Sequence, residues 1–198
     1  MREQFLRRTT LLLLVVAVAG ALGVTAAEQP AGGLPLKLVA NAFNLGSVGT
    51  ARRSATVYIY VERWSTEDER LALRKAFQEK GPQGLVDALH DTKPVGTIRT
   101  PERLAYDLRY AVQVPTEDGG RRLLIATDRP IGAVEAARNG RTTDYPFSLL
   151  ELHLDKENKG EGKLALAMQI VVSKDGSQLE LENYSSQPVQ LKNVKPQR

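Results

Sequence analysis

Phe147 to Val194, FSLLELHLDKENKGEGKLALAMQIVVSKDGSQLELENYSSQPVQLKNV, is the stretch that decides the fold. Leu150, Leu152 and Leu154 alternate with Glu151 and His153, and Leu164, Leu166, Met168, Ile170 and Val172 repeat the same period of two. That period sends alternate side chains to opposite faces of a strand, so each segment reads as half-buried β-structure. Between them Asp155 to Gly162 is a polar hairpin tip. Lys174-Asp175-Gly176-Ser177 carries the Asp-Gly pair that accepts the positive φ angles of a type I′ turn, which joins Leu164–Val172 to Leu179–Tyr184. After the Ser185 to Pro188 turn comes Val189–Val194. The reading is a four-strand antiparallel meander at the C-terminal end.

Working backwards, Arg121 to Thr127 and Leu104 to Val114 flank Asp118-Gly119-Gly120 as a hairpin. Strict alternation puts Tyr106, Leu108, Tyr110, Val112 and Val114 on one face and Asp107, Arg109, Ala111 and Gln113 on the other. Pro130 to Arg141 reads as a connecting loop with one helical turn at Ala133 to Arg138. Ala55 to Arg63 is a strand of β-branched and aromatic residues, with Thr56, Tyr58, Tyr60 and Glu62 opposite Val57, Ile59 and Val61. Short strands are expected near Leu36 to Ala40 and Val95 to Thr100.

Between the strands the period changes. Thr66 with Glu69 has capping-box spacing, and Glu67 and Asp68 place negative charge at the positive end of a helix. That helix runs to about Lys80, where Gly81 permits a left-handed stop, and a second helix follows from Pro82 to His90. The fold class is therefore α+β: a mainly antiparallel sheet of about seven or eight strands, closed as a barrel or open and wrapped on its helices, with an inserted helical pair.

The first 27 residues follow different physics. Arg2, Arg7 and Arg8 precede an apolar run from Leu11 to Ala19, and small residues continue to Ala27. This is the layout of a secretory signal peptide cleaved after Ala26 or Ala27, followed by a flexible leader at 28–35 and a single domain at 36–198. Leu11 to Ala27 stands at the short edge of what spans a bilayer and contains two glycines, so cleavage is favoured over an anchor and no stable span is expected afterwards. Arg7-Arg8 partly matches a twin-arginine signal, but Thr10 stands where a large apolar residue is usual. The protein is expected in the periplasm or secreted.

Without those residues, 24 basic side chains face 22 acidic ones. A nearly balanced surface in an exported protein gives no reason to expect nucleic acid as partner. There is no cysteine, which excludes disulfides, thiolate metal sites and a cysteine nucleophile. The VERWST (61–66), PVGTIRTP (94–101), GGRRLLIATDRP (119–130), DYPF (144–147), GEGKL (160–164) and ELENY (180–184) strings resemble a group of uncharacterised exported bacterial proteins. The resemblance spans Ala55 to Val194 and implies neither an activity nor a site residue.

Motifs for chemistry are sparse. No G-x-S-x-G elbow and no phosphate-binding glycine loop occurs. Asp155-x-Glu157-x-Lys159 opens like a calcium loop but places Lys159 at a ligand position and Leu166 where the loop needs glutamate. Glu151 and His153 share one strand face, two ligands where zinc requires three or four, and His90 is a helix C-terminal cation. No metal or cofactor is expected. The candidate ligand residues are Arg99, Tyr106, Arg109, Asp128, Arg129, Arg141, Asp144 and Tyr145, guanidinium groups among phenols that suit carboxylate, phosphate or sugar. The favoured reading is a non-enzymatic module for a small molecule, envelope component or protein. The alternative is a hydrolase or isomerase with a carboxylate-based site around Asp128 and Asp144, one or the other acting as acid or base.

Overall fold

A computed structural model describes residues 33–43, 54–101, 104–131, 146–172, 179–183 and 188–197. Their elements follow in the order β1 (Leu36–Phe43), β2 (Ser54–Val61), α1 (Glu67–Asp91), β3 (Gly96–Arg99), β4 (Tyr106–Pro115), β5 (Arg121–Thr127), β6 (Phe147–Leu154), β7 (Gly160–Val172), β8 (Leu179–Asn183) and β9 (Val189–Pro196). The signal segment, the turn at Ala133 to Arg138, the Lys174 to Ser177 turn and the side chains of Ile170 and Val172 lie outside the described residues.

All strand pairs are antiparallel, and each of β1 to β7 pairs with the next. β9 then pairs with both β7 and β1, so eight strands close into a barrel. Each of the eight thus has a strand on both sides, although the short β3 covers only Tyr58–Val61 of β2 and Tyr106–Leu108 of β4. The interior holds Leu38, Ile59, Leu108, Leu123, Leu152, Leu164 and Leu191, all fully buried in one continuous cluster. An eight-stranded barrel is just wide enough for side chains to fill, so the lumen here is the hydrophobic core.

The C-terminal strands depart from a simple meander at the last step. Met168 on β7 faces Phe147 on one side and Asn183 on the other, whereas Gly160 faces Leu154 and Val194. β8 and β9 therefore lie in tandem along the same edge of β7, and β9 does not pair with β8. Its ladders with β7 and β1 together hold β9 in the barrel.

The helical pair runs through α1 as two helices that meet at Gly81, a non-helical residue with φ 65° and ψ −154° immediately before Pro82. Thr66 and Glu69 make the capping box in both directions. Glu69 also receives two 2.9 Å bonds from Arg63, whose Nη2 reaches the Lys93 carbonyl, tying the helix entry to its exit. α1 lies against the outside of the barrel, where Leu73 and Leu89 pack with Ala126, Phe147 and Met168.

Alternation in β4 is broken. Leu108 faces Thr127, but Tyr110 faces Ala126, so Arg109 is a bulged residue. Leu108 and Ala111 consequently both join the interior cluster, while Tyr110 packs with the helix-facing group, in place of the single apolar face that strict alternation gives. Below them Gln113 turns inward and accepts a 2.7 Å hydrogen bond from Arg121, whose other terminal nitrogen donates to Asn158. Arg121 is 8% exposed, and burial pushes its guanidinium pKa down.

Candidate functional site

β5 ends at Thr127, and Pro130 beyond it has no N–H with which to resume a ladder. The next residue, Asp128, has a carboxylate only 7% exposed. Its Oδ2 accepts a 3.0 Å bond from Arg109 Nε and lies 3.1 Å from His90 Nδ1. The β4 bulge aims Arg109 at this point. The same guanidinium donates at 2.8 Å to the carbonyl of Thr92, the C-cap of α1, and its Nη2 stands 3.3 Å from Asp107. Cationic donors at a helix C-terminus meet the negative end of its dipole, so the cluster fastens the end of α1 to the barrel. Burial pushes the neighbouring Tyr110 phenol pKa up. The His90 side chain is 70% exposed.

A second cluster crosses the barrel mouth. Thr127 Oγ1 donates to the Arg129 carbonyl at 2.6 Å and accepts from the Ser148 amide at 3.0 Å. Ser148 Oγ donates to the Leu166 carbonyl at 2.6 Å, and the Ile131 amide donates to both. That carbonyl lies in the stretch where β7 spends three steps, Ala165 to Met168, against two on β6. The segment from Asp128 to Ile131 is thereby drawn over the core, where Ile131 and Tyr106 pack. The Arg129 guanidinium stacks 4.9 Å from the centre of the Tyr106 ring.

The third feature is the outer wall of β9, β1, β2 and β3, on the side away from α1. Register places Lys195, Val39, Tyr58 and Arg99 in one row across the four strands. The adjacent rows are Lys192, Asn41 and Thr56, and Lys37, Tyr60, Thr97 and Asp107. Arg99 stacks 5.2 Å from the Tyr58 ring centre and Lys37 5.5 Å from that of Tyr60. A shallow groove of about 280 Å³ lies between these two pairs, and another of about 570 Å³ runs past Asn41, Thr56 and Lys195.

The sequence-derived candidates therefore separate. Arg109 meets Asp128, Arg129 meets Tyr106, and Arg99 belongs to the outer wall; Arg141, Asp144 and Tyr145 lie outside the described residues. Two participants are new: His90 as a partner of Asp128, and the wall formed with Lys37, Tyr58, Tyr60 and Lys195. The outward face of Ala55 to Arg63 already contained both tyrosines, but only strand order brings the cations beside them. His153 Nε2 lies 3.0 Å from Glu151, which also faces Arg122 at 3.7 Å. Among the described residues no three His, Asp or Glu side chains group as metal ligands, and no helix is long and apolar enough to cross a membrane. The chain matches no family model, no curated protein and no solved structure.

Proposed function

We propose that the chain is an exported, non-enzymatic binding module that engages its ligand on the outside of the barrel. The observation that carries this reading is the engagement of Asp128, whose Oδ2 is held by Arg109 and faces His90 in a nearly closed site. A general acid or base must exchange its proton with substrate, and a carboxylate fixed as a structural counter-ion is poorly placed to do so. The filled interior argues the same way, since a packed lumen leaves no room for a ligand and the surface remains.

The enzyme reading has one observation of its own. A carboxylate bound at Nδ1 orients an imidazole and leaves Nε2 for proton transfer. Among the described residues, however, no hydroxyl is hydrogen-bonded to that nitrogen. The test pairs a thermal-shift screen of small molecules and envelope polymers with hydrolase and isomerase assays on the parent and Asp128→Asn. A ligand that raises the melting temperature, with Asp128→Asn lowering it in the absence of ligand and no turnover detected in either protein, is the expected result. Turnover in the parent that disappears in a normally folded Asp128→Asn overturns the proposal.

A further inference from the structure

We infer that the wall of β9, β1, β2 and β3 is a docking face for an anionic polysaccharide. This rests on the binding-module reading and names the ligand class. Lys37, Arg99 and Lys195 border a centre of uncharged residues, Asn41, Thr56, Tyr58, Tyr60 and Thr97, while a fourth cation at the edge, Lys192, is paired with Glu161. Among the described residues the other nearby acids stand at the margin: Asp107 at the end of its row faces Arg109, and exposed Glu62 follows the end of β2. The face is thus complementary to negative charge.

Spacing then selects among anions. Lys37 and Arg99 are two strands and two residues apart, which is roughly 12 Å between backbones, and Lys195 and Arg99 are three strands apart, roughly 14 Å. One phosphate or carboxylate does not engage cations rooted so far apart as readily as charges repeated along an extended chain. The shallow, open form of both grooves suits a polymer lying across the strands. The aromatic rings argue against single-stranded nucleic acid, whose bases need open ring faces: Arg99 already covers Tyr58, and Lys37 covers Tyr60. A stacked guanidinium keeps its N–H edge free for carboxylate, and the phenol, threonine and asparagine groups offer the neutral hydrogen bonds that sugar hydroxyls take. Lipid insertion lacks apolar contact area, because among the described residues only Phe43 and, just before β1, Leu34 are large exposed hydrophobics near this wall.

The purified full chain is titrated with polygalacturonate, and in parallel with neutral dextran, oligothymidylate and phosphatidylglycerol vesicles, at low salt and at about 0.5 M salt, where screening shrinks to a few ångströms. Polygalacturonate is expected to bind, dextran to bind far less, and salt to weaken the interaction. Lys37→Gln combined with Arg99→Gln should weaken it about tenfold at unchanged melting temperature, the effect of two exposed charge contacts. Lys75→Gln combined with Lys80→Gln, on α1, should leave it intact. No binding of polygalacturonate, tighter binding of oligothymidylate or vesicles, or equal binding by the Lys37 and Arg99 double variant overturns the inference. The two readings fail in different assays: a protein that ignores polygalacturonate but is stabilised by another ligand keeps the module reading and loses this one, whereas the module reading falls with turnover dependent on Asp128.

Discussion

At Arg109 one bulged residue changes what its neighbours do. Without the slip between Leu108 and Tyr110, alternation would turn Ala111 away from the core; with it, Arg109 reaches Asp128 and the carbonyl of Thr92. Arg109→Ala leaves a buried carboxylate with only an exposed imidazole beside it, so we expect a loss of roughly 3 kcal/mol and a melting temperature lower by about 5 to 10 °C in a thermal melt. His90→Ala, which removes the exposed partner, should change stability by no more than about 0.5 kcal/mol. Leu152→Asp places a charge in the filled lumen and should abolish cooperative folding by circular dichroism, while Gln190→Ala on the outer face of β9 should melt close to the parent. The inward assignment of Leu150, Leu152 and Leu154 was legible because β6 keeps its period without interruption. The surroundings of Asp128 were not, since no local sequence signal distinguishes a bulge from a regular strand.

Within α1 the entry was readable from Thr66 and Glu69, and the bend from Gly81 followed by Pro82. The wall against which the helix packs was not, because a stripe of apolar residues announces burial without naming the partner. Gly81 occupies a backbone region that side chains strongly disfavour, while a Cβ there would meet nothing within 4 Å. Gly81→Ala should therefore destabilise by about 1 to 3 kcal/mol through backbone strain alone, measurable by urea denaturation. The helix entry also carries a pH signature. The Arg63 hydrogen bonds hold the Glu69 carboxyl below its ordinary range, with the Thr66 amide assisting. Its contribution is complete above the ordinary pKa of about 4.3 and disappears as pH falls through the lower folded value. Glu69→Gln should flatten the acid limb of the melting-temperature profile. Tyr110 has the opposite sign: burial raises its pKa, so its contribution is present below about pH 10 and is lost as pH rises through the folded value. Tyr110→Phe should remove that part of the alkaline decline.

For the whole molecule, strand number and antiparallel pairing could be read from alternation and turns, whereas closure could not. The pairing that completes the barrel joins Asn41 to Lys192, 151 positions apart, and nothing local records that register. Removing residues 189–198 should uncover facing edges of β1 and β7 and eliminate the cooperative melt seen for the full chain. The same pairing imposes a schedule on the newborn polypeptide. At a synthesis rate of about 5 to 20 residues per second, the ribosome spends roughly 8 to 30 s between making Asn41 and making Lys192. Throughout that interval β1 waits with one row of amides and carbonyls unclaimed, a long time beside the microseconds in which a hairpin forms.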